Sequence, residues 1–343
     1  MDIAHTSSLS RRSLLLGAGA VGLGAAVFSR PAQAAPEFQF KFASNLPPTH
    51  PLNVRAKEAA DRMAKESGGK IELQIFPSNQ LGADADLLSQ LRAGGLDFLA
   101  MSGLVASTLV PNAAITGMGF AFNDFPAVWQ ALDGKLGAYV RAELAKANLM
   151  AMPKIWDNGF RQMTSSNKVI KSVDDLKGMK IRVPVSPLWT SMFKALDAAP
   201  TGIAPPELYS ALQTGIVDGQ ENGLVGIQFT KLYEVQKYCA LTNHMWDGYW
   251  MLSNKRSFDK LPPDIQQIVQ RNFDAGAVAQ RADIERLSTT ARADLEKLGL
   301  KFNEVDKAGF RNKLGTSGFY QEWKTKLGKE AWDTLEASVG KMS

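Results

Sequence analysis

The chain has 343 residues, 45% of them apolar and 21% charged, with a formal net charge of +5, one cysteine and three histidines. That is enough apolar material for two cores, since single cores seldom grow past about 250–300 residues. The lone Cys239 excludes an intrachain disulfide and reads as a small buried filler, and a mild charge without a Lys/Arg cluster excludes a nucleic-acid partner.

Residues 1–34 read as an export signal: Ser10-Arg11-Arg12-Ser13, an apolar run from Leu14 to Phe28, and Ala32-Gln33-Ala34 as a small-residue cleavage site. The paired arginines suggest the twin-arginine route, with an ordinary secretory signal as the alternative. The run of about 15 residues is short for a span, which needs roughly 20. Cleavage near Ala34 leaves a mature chain of about 309 residues with a formal charge of +3, placed in the periplasm.

Phe38-Gln-Phe-Lys-Phe-Ala43 alternates strictly and predicts the first strand. Leu52, Ala56, Ala59, Ala60 and Met63 then recur at helical spacing until Gly68-Gly69, and Ile71, Leu73 and Ile75 predict a strand that stops at Pro77. Such βαβ alternation predicts an α/β fold with a mostly parallel sheet flanked by helices. Leu91-Arg-Ala-Gly94-Gly-Leu-Asp97 is echoed 121 residues later by Leu212-Gln-Thr-Gly215-Ile-Val-Asp218, one αβ unit used twice, which suggests two similar lobes.

In Gly178-Met-Lys-Ile-Arg-Val-Pro184, Met179, Ile181 and Val183 alternate with Lys180 and Arg182, and Pro184 releases the chain at the carboxyl edge of a sheet. Open α/β sheets bind ligands at that edge, where the planar donor fork of Arg182 fits a carboxylate. From Pro262 to Leu298 the apolar positions keep helical spacing without an interior proline. A helix of roughly 35 residues is about 50 Å long, too long for one small lobe, so it must brace both, with Gly276 as a place to bend.

The equipment of catalysis is missing: no G-x-S-x-G, no G-x-x-x-x-G-K-[ST], no C-x-x-C and no H-E-x-x-H. No cofactor and no metal are expected, because the mature chain keeps only His50, a loop or cap residue, and His244, placed to bond its own turn. Asp174-Asp175 fit a helix N-terminus ahead of Leu176.

Seven segments in order resemble a known family: Phe76-Pro-Ser-Asn-Gln-Leu-Gly82, Phe160-Arg161-Gln162, Val173 through Pro184, Glu207-Leu-Tyr-Ser-Ala-Leu-Gln213, Val217-Asp-Gly-Gln-Glu-Asn222, Leu241-Thr-Asn-His244 and Leu261-Pro262. Together they resemble the DctP-type solute-binding proteins of tripartite ATP-independent periplasmic (TRAP) transporters, from about Phe40 to Leu298. The resemblance implies a two-lobed α/β periplasmic binding protein fold with a ligand cleft between lobes and a long helix bracing both. It implies a monomer that closes on a small organic acid and delivers it to the membrane subunits of a TRAP permease. By that resemblance Arg182 takes the ligand-carboxylate position, Arg161 is the second arginine, and Asn222 and Asn45 give polar contacts from the two lobes. Ser102, Trp189 and Glu221 complete the expected set. The lobes expected are residues 36–157 with 248–287, and 158–247 with 288–343.

Specificity reads less clearly. Where the sialic acid binders of the family it resembles carry acidic and basic residues after the Leu-Asp-Phe strand, this chain has Met101-Ser-Gly-Leu-Val105, with few groups to grip a sugar acid, and where such proteins often carry a ring-stacking aromatic it has Pro205-Pro206. Trp156, Phe160, Trp189, Trp246 and Trp250 lie near cleft segments, Trp189 foremost, so an acid with an apolar or aromatic body is expected. The competing reading is a periplasmic isomerase or lyase working through Glu221 and Asp218.

Overall fold

The first half of the chain alternates strands and helices in the computed structural model, which describes residues 35–342; the export-signal expectation lies outside the described residues. In order come β1 (Phe38–Ala43), α1 (Pro51–Glu66), β2 (Ile71–Phe76), α2 (Asp84–Ala93), β3 (Phe98–Ser102), α3 (Gly103–Ala106), α4 (Phe125–Leu132), α5 (Lys135–Lys146), β4 (Leu149–Ala151) and β5 (Trp156–Ser165). The second half adds β6 (Lys180–Val183), α6 (Pro187–Ala195), β7 (Ala199–Gly202), α7 (Pro205–Gln213), β8 (Gly219–Gly223), α8 (Leu224–Phe229) and β9 (Tyr238–Asn254). Then follow α9 (Lys255–Asp259), α10 (Pro263–Lys297), β10 (Lys301–Asn303), α11 (Lys307–Thr316), α12 (Phe319–Leu327) and α13 (Lys329–Val339).

Among the described residues the strands form one ten-stranded sheet in the order β2-β1-β3-β9-β5-β8-β6-β7, with β4 and β10 also on β9. The expected mostly parallel sheet is corrected to a mixed one. The flanks are parallel, β1 with β2 and β3, and β6 with β7 and β8. The centre is antiparallel, because β9 runs against β3, β4 and β5, and β5 against β8.

The repeated L-x-x-G-x-x-D pattern marks the same construction in each flank. Gly94 and Gly215 take the left-handed conformation, at φ 79° and 73°, that ends a helix without a Cβ penalty. Asp97 then pairs with Lys41 of β1, its carboxylate accepting the Lys41 N–H at 2.8 Å and its own N–H donating to the Lys41 carbonyl at 3.3 Å. Asp218 repeats both bonds on Lys180 of β6, at 3.0 and 2.7 Å. Each aspartate thereby fixes the register of a strand whose far end faces the ligand edge of the sheet.

The long helix is continuous over 35 residues and packs on α1 in the first flank and α8 in the second. At the sheet centre it is bonded to the backbone itself: the Gln280 amide accepts from Asp157 N at 2.8 Å and donates to the Asp157 carbonyl at 2.7 Å. Gly276 has a different use from the expected bend, since a Cβ there would stand 2.9 Å from the Trp156 ring. Two smaller apolar clusters are local to the flanks, while the largest joins Leu99 and Met101 of β3 to Ile181, Trp189 and Phe310. The C-terminal helices straddle the halves: α11 and α12 pack on α6, whereas α13 packs on α4 and α5, outside the second lobe to which the sequence assigned residues 288–343.

Candidate functional site

A cavity of about 330 Å³ opens at the edge where β1, β2 and β6 end. This is the small end of the roughly 300–1,000 Å³ range of small-molecule sites. It takes walls from both flanks: the loops after β1 and β2 bring Asn45 and Asn79, the start of α2 brings Asp84, β6 brings Arg182, and α6 brings Trp189.

Arg182 is 2% exposed. Its Nε donates to the Ile203 carbonyl at 2.8 Å, its Nη2 has no partner, and no described carboxylate forms an ion pair with it. Burial pulls its guanidinium down to about 10, with Glu221 opposing and Arg161 adding to the shift. The group stays charged at neutral pH but is short of negative partners.

Arg161 also lines the cavity, yet its donors are already taken. Nε and Nη2 reach the Glu221 carboxylate at 2.5 and 2.9 Å, Nη2 also reaches the Glu221 carbonyl at 2.7 Å, and Nη1 lies 3.5 Å from Asp247. Its guanidinium carbon sits 4.9 Å from the centre of the Trp189 ring, a cation–π contact that gives the indole a purpose beyond filling space. Glu221 is fully buried behind Arg161 and does not line the cavity, which corrects its expected ligand contact. Burial works to raise its carboxyl, but Arg161 and His244 outweigh that and hold it below the usual range. His244 Nε2 lies 3.2 Å from Glu221 and Nδ1 2.8 Å from the Thr242 hydroxyl, so the imidazole orients the carboxylate as well as bonding near its own turn.

Asn45, Ser102, Trp189 and Asn222 line the cavity with the two arginines. Asn45 donates to both oxygens of Asp84 at 3.2 Å and accepts from the Tyr249 hydroxyl at 3.3 Å. Ser102 donates to Asp247 at 2.6 Å while accepting from Leu104 N at the start of α3. Met101 points the other way, into the largest apolar cluster, because successive side chains of β3 face opposite sides. Trp156, Trp246 and Trp250 are core residues, and Phe160 lies outside the cavity. The Glu221 and Asp218 pair of the enzymatic reading is not assembled: Asp218 is bonded to Lys180 and Asn167 away from the cavity.

The sequence reading missed Asn79, Asp84, Asn158, Asp247 and Tyr249, all in the wall. Their polar atoms replace the expected scarcity of hydroxyl partners. A signal existed in Asp247, a lone acid in the run Met245-Trp-Asp-Gly-Tyr-Trp250 that is buried throughout. Among the described residues no group of three or more His, Cys, Asp or Glu could hold a metal ion, and no helix is long and apolar enough to cross a membrane.

Residues 42–323 match the family model described as bacterial extracellular solute-binding protein, family 7. The chain is 33% identical over 304 residues to an uncharacterised protein, y4mM, of Sinorhizobium fredii, covering 88% of this chain and 56% of that longer relative. It is 29% identical over 293 residues to the 2,3-diketo-L-gulonate-binding periplasmic protein YiaO of Escherichia coli, covering 85% of this chain and 88% of the relative. A TRAP periplasmic solute-binding protein from Sulfitobacter sp. NAS-14.1, crystallised with bound β-D-galacturonate, superposes with a TM-score of 0.83 at 26% identity, covering 88% of this chain and 99% of that one.

Proposed function

The chain belongs to the bacterial extracellular solute-binding proteins of family 7, and we propose that it captures a small organic acid in the cavity and delivers it to the membrane subunits of a TRAP permease. The observation that carries this reading is Arg182, a buried guanidinium with an unpartnered Nη2 and no carboxylate ion pair. Burying such a charge is costly, and a ligand carboxylate offsets that cost with charge-assisted hydrogen bonds. Arg161, fixed by Glu221, adds positive potential without needing the ligand to hold it. Asn45 and Asn222 reach the ligand from opposite flanks, so closure completes the set and the ligand selects the closed form.

In this reading residues 36–157 with 248–287 and residues 158–247 with 288–306 move as lobes, β5 and β9 cross between them, and α11 to α13 follow the lobe each touches. The chain is exported on residues 1–34, cleaved near Ala34, and works as a monomer in the periplasm. In this reading it binds without turnover, as a solute-binding protein, and Glu221 and Asp218 of the enzymatic alternative do not line the cavity.

A thermal-shift screen of organic acids tests the reading, because a ligand at 100 times its Kd adds about 2.7 kcal/mol. The expected result is one-to-one binding of a carboxylate, recovered unchanged. Turnover of the bound acid, or equal binding of its methyl ester, contradicts it.

A further inference from the structure

We propose that a hollow at the edge of the sheet opposite the cavity is a second anion site, built to take a phosphate group between Arg92 and Arg256. β3 begins and β9 ends at that edge, with Phe98 opposite Ser253. α2 stops shortly before the one and α9 starts directly after the other. The hollow, of about 410 Å³, is lined by Ser89, Arg92 and Ala93 of α2, by Ala147 and Asn148 after α5, and by Arg256 of α9. Two guanidinium groups thus share it, and no carboxylate does. The proposal is independent of the carboxylate reading of the cavity.

Among the described residues every arginine except Arg92, Arg256 and Arg311 forms an ion pair or donates to an amide or carbonyl oxygen. Two of those three meet in this hollow. Their ordinary duties are already done by others. An arginine in the last turn of a helix, as Arg92 is, serves the free carbonyls there. Here the N–H groups of Gly94 and Gly95 and the amide of Asn254 bond the carbonyls of Gln90, Leu91 and Arg92. Asp259, three residues after Arg256, is paired with Lys255 instead. The two arginines are also fixed relative to each other by a bridge of two asparagines. Asn254 Nδ2 donates to the Arg92 carbonyl at 2.8 Å, Asn148 Nδ2 donates to Asn254 Oδ1 at 3.4 Å, and Asn148 Oδ1 accepts from Arg256 N at 3.2 Å. Asn148 holds its place in the left-handed conformation, at φ 64°, which asparagine tolerates better than most residues. Like charges sharing a hollow repel, and a doubly charged oxyanion reverses that while offering oxygens to both planar forks. A monocarboxylate brings one charge and oxygens for one fork. The hollow has room for a diphosphate or for a phosphate at the head of a larger molecule such as a lipid. Both arginines are exposed, so the affinity is modest and falls with salt.

Calorimetry on the mature protein at low salt tests this with pyrophosphate, inorganic phosphate and acetate, and sedimentation with phosphatidic acid vesicles, against phosphatidylcholine vesicles, reads a lipid-borne phosphate. A phosphate probe is expected to bind one-to-one with a Kd below about 1 mM, and acetate about tenfold more weakly or not at all. Arg92→Ala and Arg256→Ala are each expected to weaken that binding about tenfold, because each removes charge-assisted hydrogen bonds. Arg182→Ala, in the cavity on the far edge of the sheet, is expected to change it less than about threefold, since distant sites act independently. Vesicle binding that is lost in the two hollow variants identifies a lipid as the source of the phosphate, and pyrophosphate binding without vesicle binding identifies a soluble one. Failure of every phosphate probe to bind overturns the proposal. So does binding that survives in both hollow variants, binding that Arg182→Ala abolishes, or acetate held as tightly as pyrophosphate.

Discussion

Glu221 holds Arg161 from behind with both carboxylate oxygens, at 2.5 and 2.9 Å, and both side chains are almost wholly buried. The pair divides the labour of the two cavity arginines. Arg161 is a fixed element of the wall, whereas Arg182 has spare donors. Glu221→Gln is expected to destabilise the protein by about 3–5 kcal/mol, because removing one partner leaves a buried charge uncompensated. Urea unfolding checks this. A variant of wild-type stability that only binds weakly would restore Glu221 to the ligand's own contacts.

Arg182→Ala should behave in the opposite way. It removes a buried charge that lacks a counter-ion, so the ligand-free protein should be as stable as wild type or more so, while acid binding falls by about 2–5 kcal/mol. Arg182→Lys should restore part of the affinity, since a point charge cannot reproduce the planar fork. Calorimetry showing Arg182→Ala within threefold of wild type would place the anchor elsewhere.

Gly276→Ala sets two effects against each other in α10. Alanine is the better helix former by about 1 kcal/mol. Its Cβ, however, would meet the Trp156 ring at 2.9 and 3.1 Å, and overpacking of that kind costs about 1–3 kcal/mol. The melting temperature should fall; a rise would show that the indole yields freely.

Asp157 and His50 make opposite demands on pH. Burial pushes the Asp157 carboxyl up from 3.8 to about 7, so the folded state holds its proton longer and stability falls as pH rises through that window. Burial pulls the His50 imidazole down from 6.5 to about 3, so its stabilisation is complete above pH 6.5 and is lost as pH falls toward 3. The two slopes oppose each other between about pH 4 and 6.5. Asp157→Asn should steepen the loss of stability on acidification. His50→Asn, which keeps an acceptor for Leu52 N at the start of α1, should make it shallower. Unfolding midpoints measured from pH 4 to 8 read both, and parallel curves for the two variants would contradict the assignment.

The elements legible in the sequence were those with one dry face. Phe38–Ala43, Pro51–Glu66, Ile71–Phe76 and Pro263–Lys297 each carry a clean period, and their bounds follow the punctuation of Gly and Pro. β9 carries no such period, because helices and loops cover both its faces and every residue from Met245 to Asn254 is buried. With β9 unread, the antiparallel centre of the sheet stayed hidden. The arginines of the cavity were readable from a strand ending in proline and from likeness to a family. Asp84 was not, because an aspartate at the first turn of a helix has an ordinary use there. Glu221 was misplaced by one step of alternation: Asn222 faces the cavity, so its neighbour in β8 turns to the other side.

The position of β9 between β3 and β5 also fixes when the molecule can be assembled. When residues up to Ser102 have been synthesised, β1, β2 and β3 can pair, but β3 keeps an open edge until a strand more than a hundred residues later arrives. β5 waits for the same strand. Neither flank therefore has a finished sheet of its own, and the contacts that close both are of long sequence separation, which makes folding slow and exposes unpaired edges meanwhile. In a nascent chain of this topology the sheet stays open until residues 238–254 emerge, and α10 to α13, which follow them, have still to pack on it.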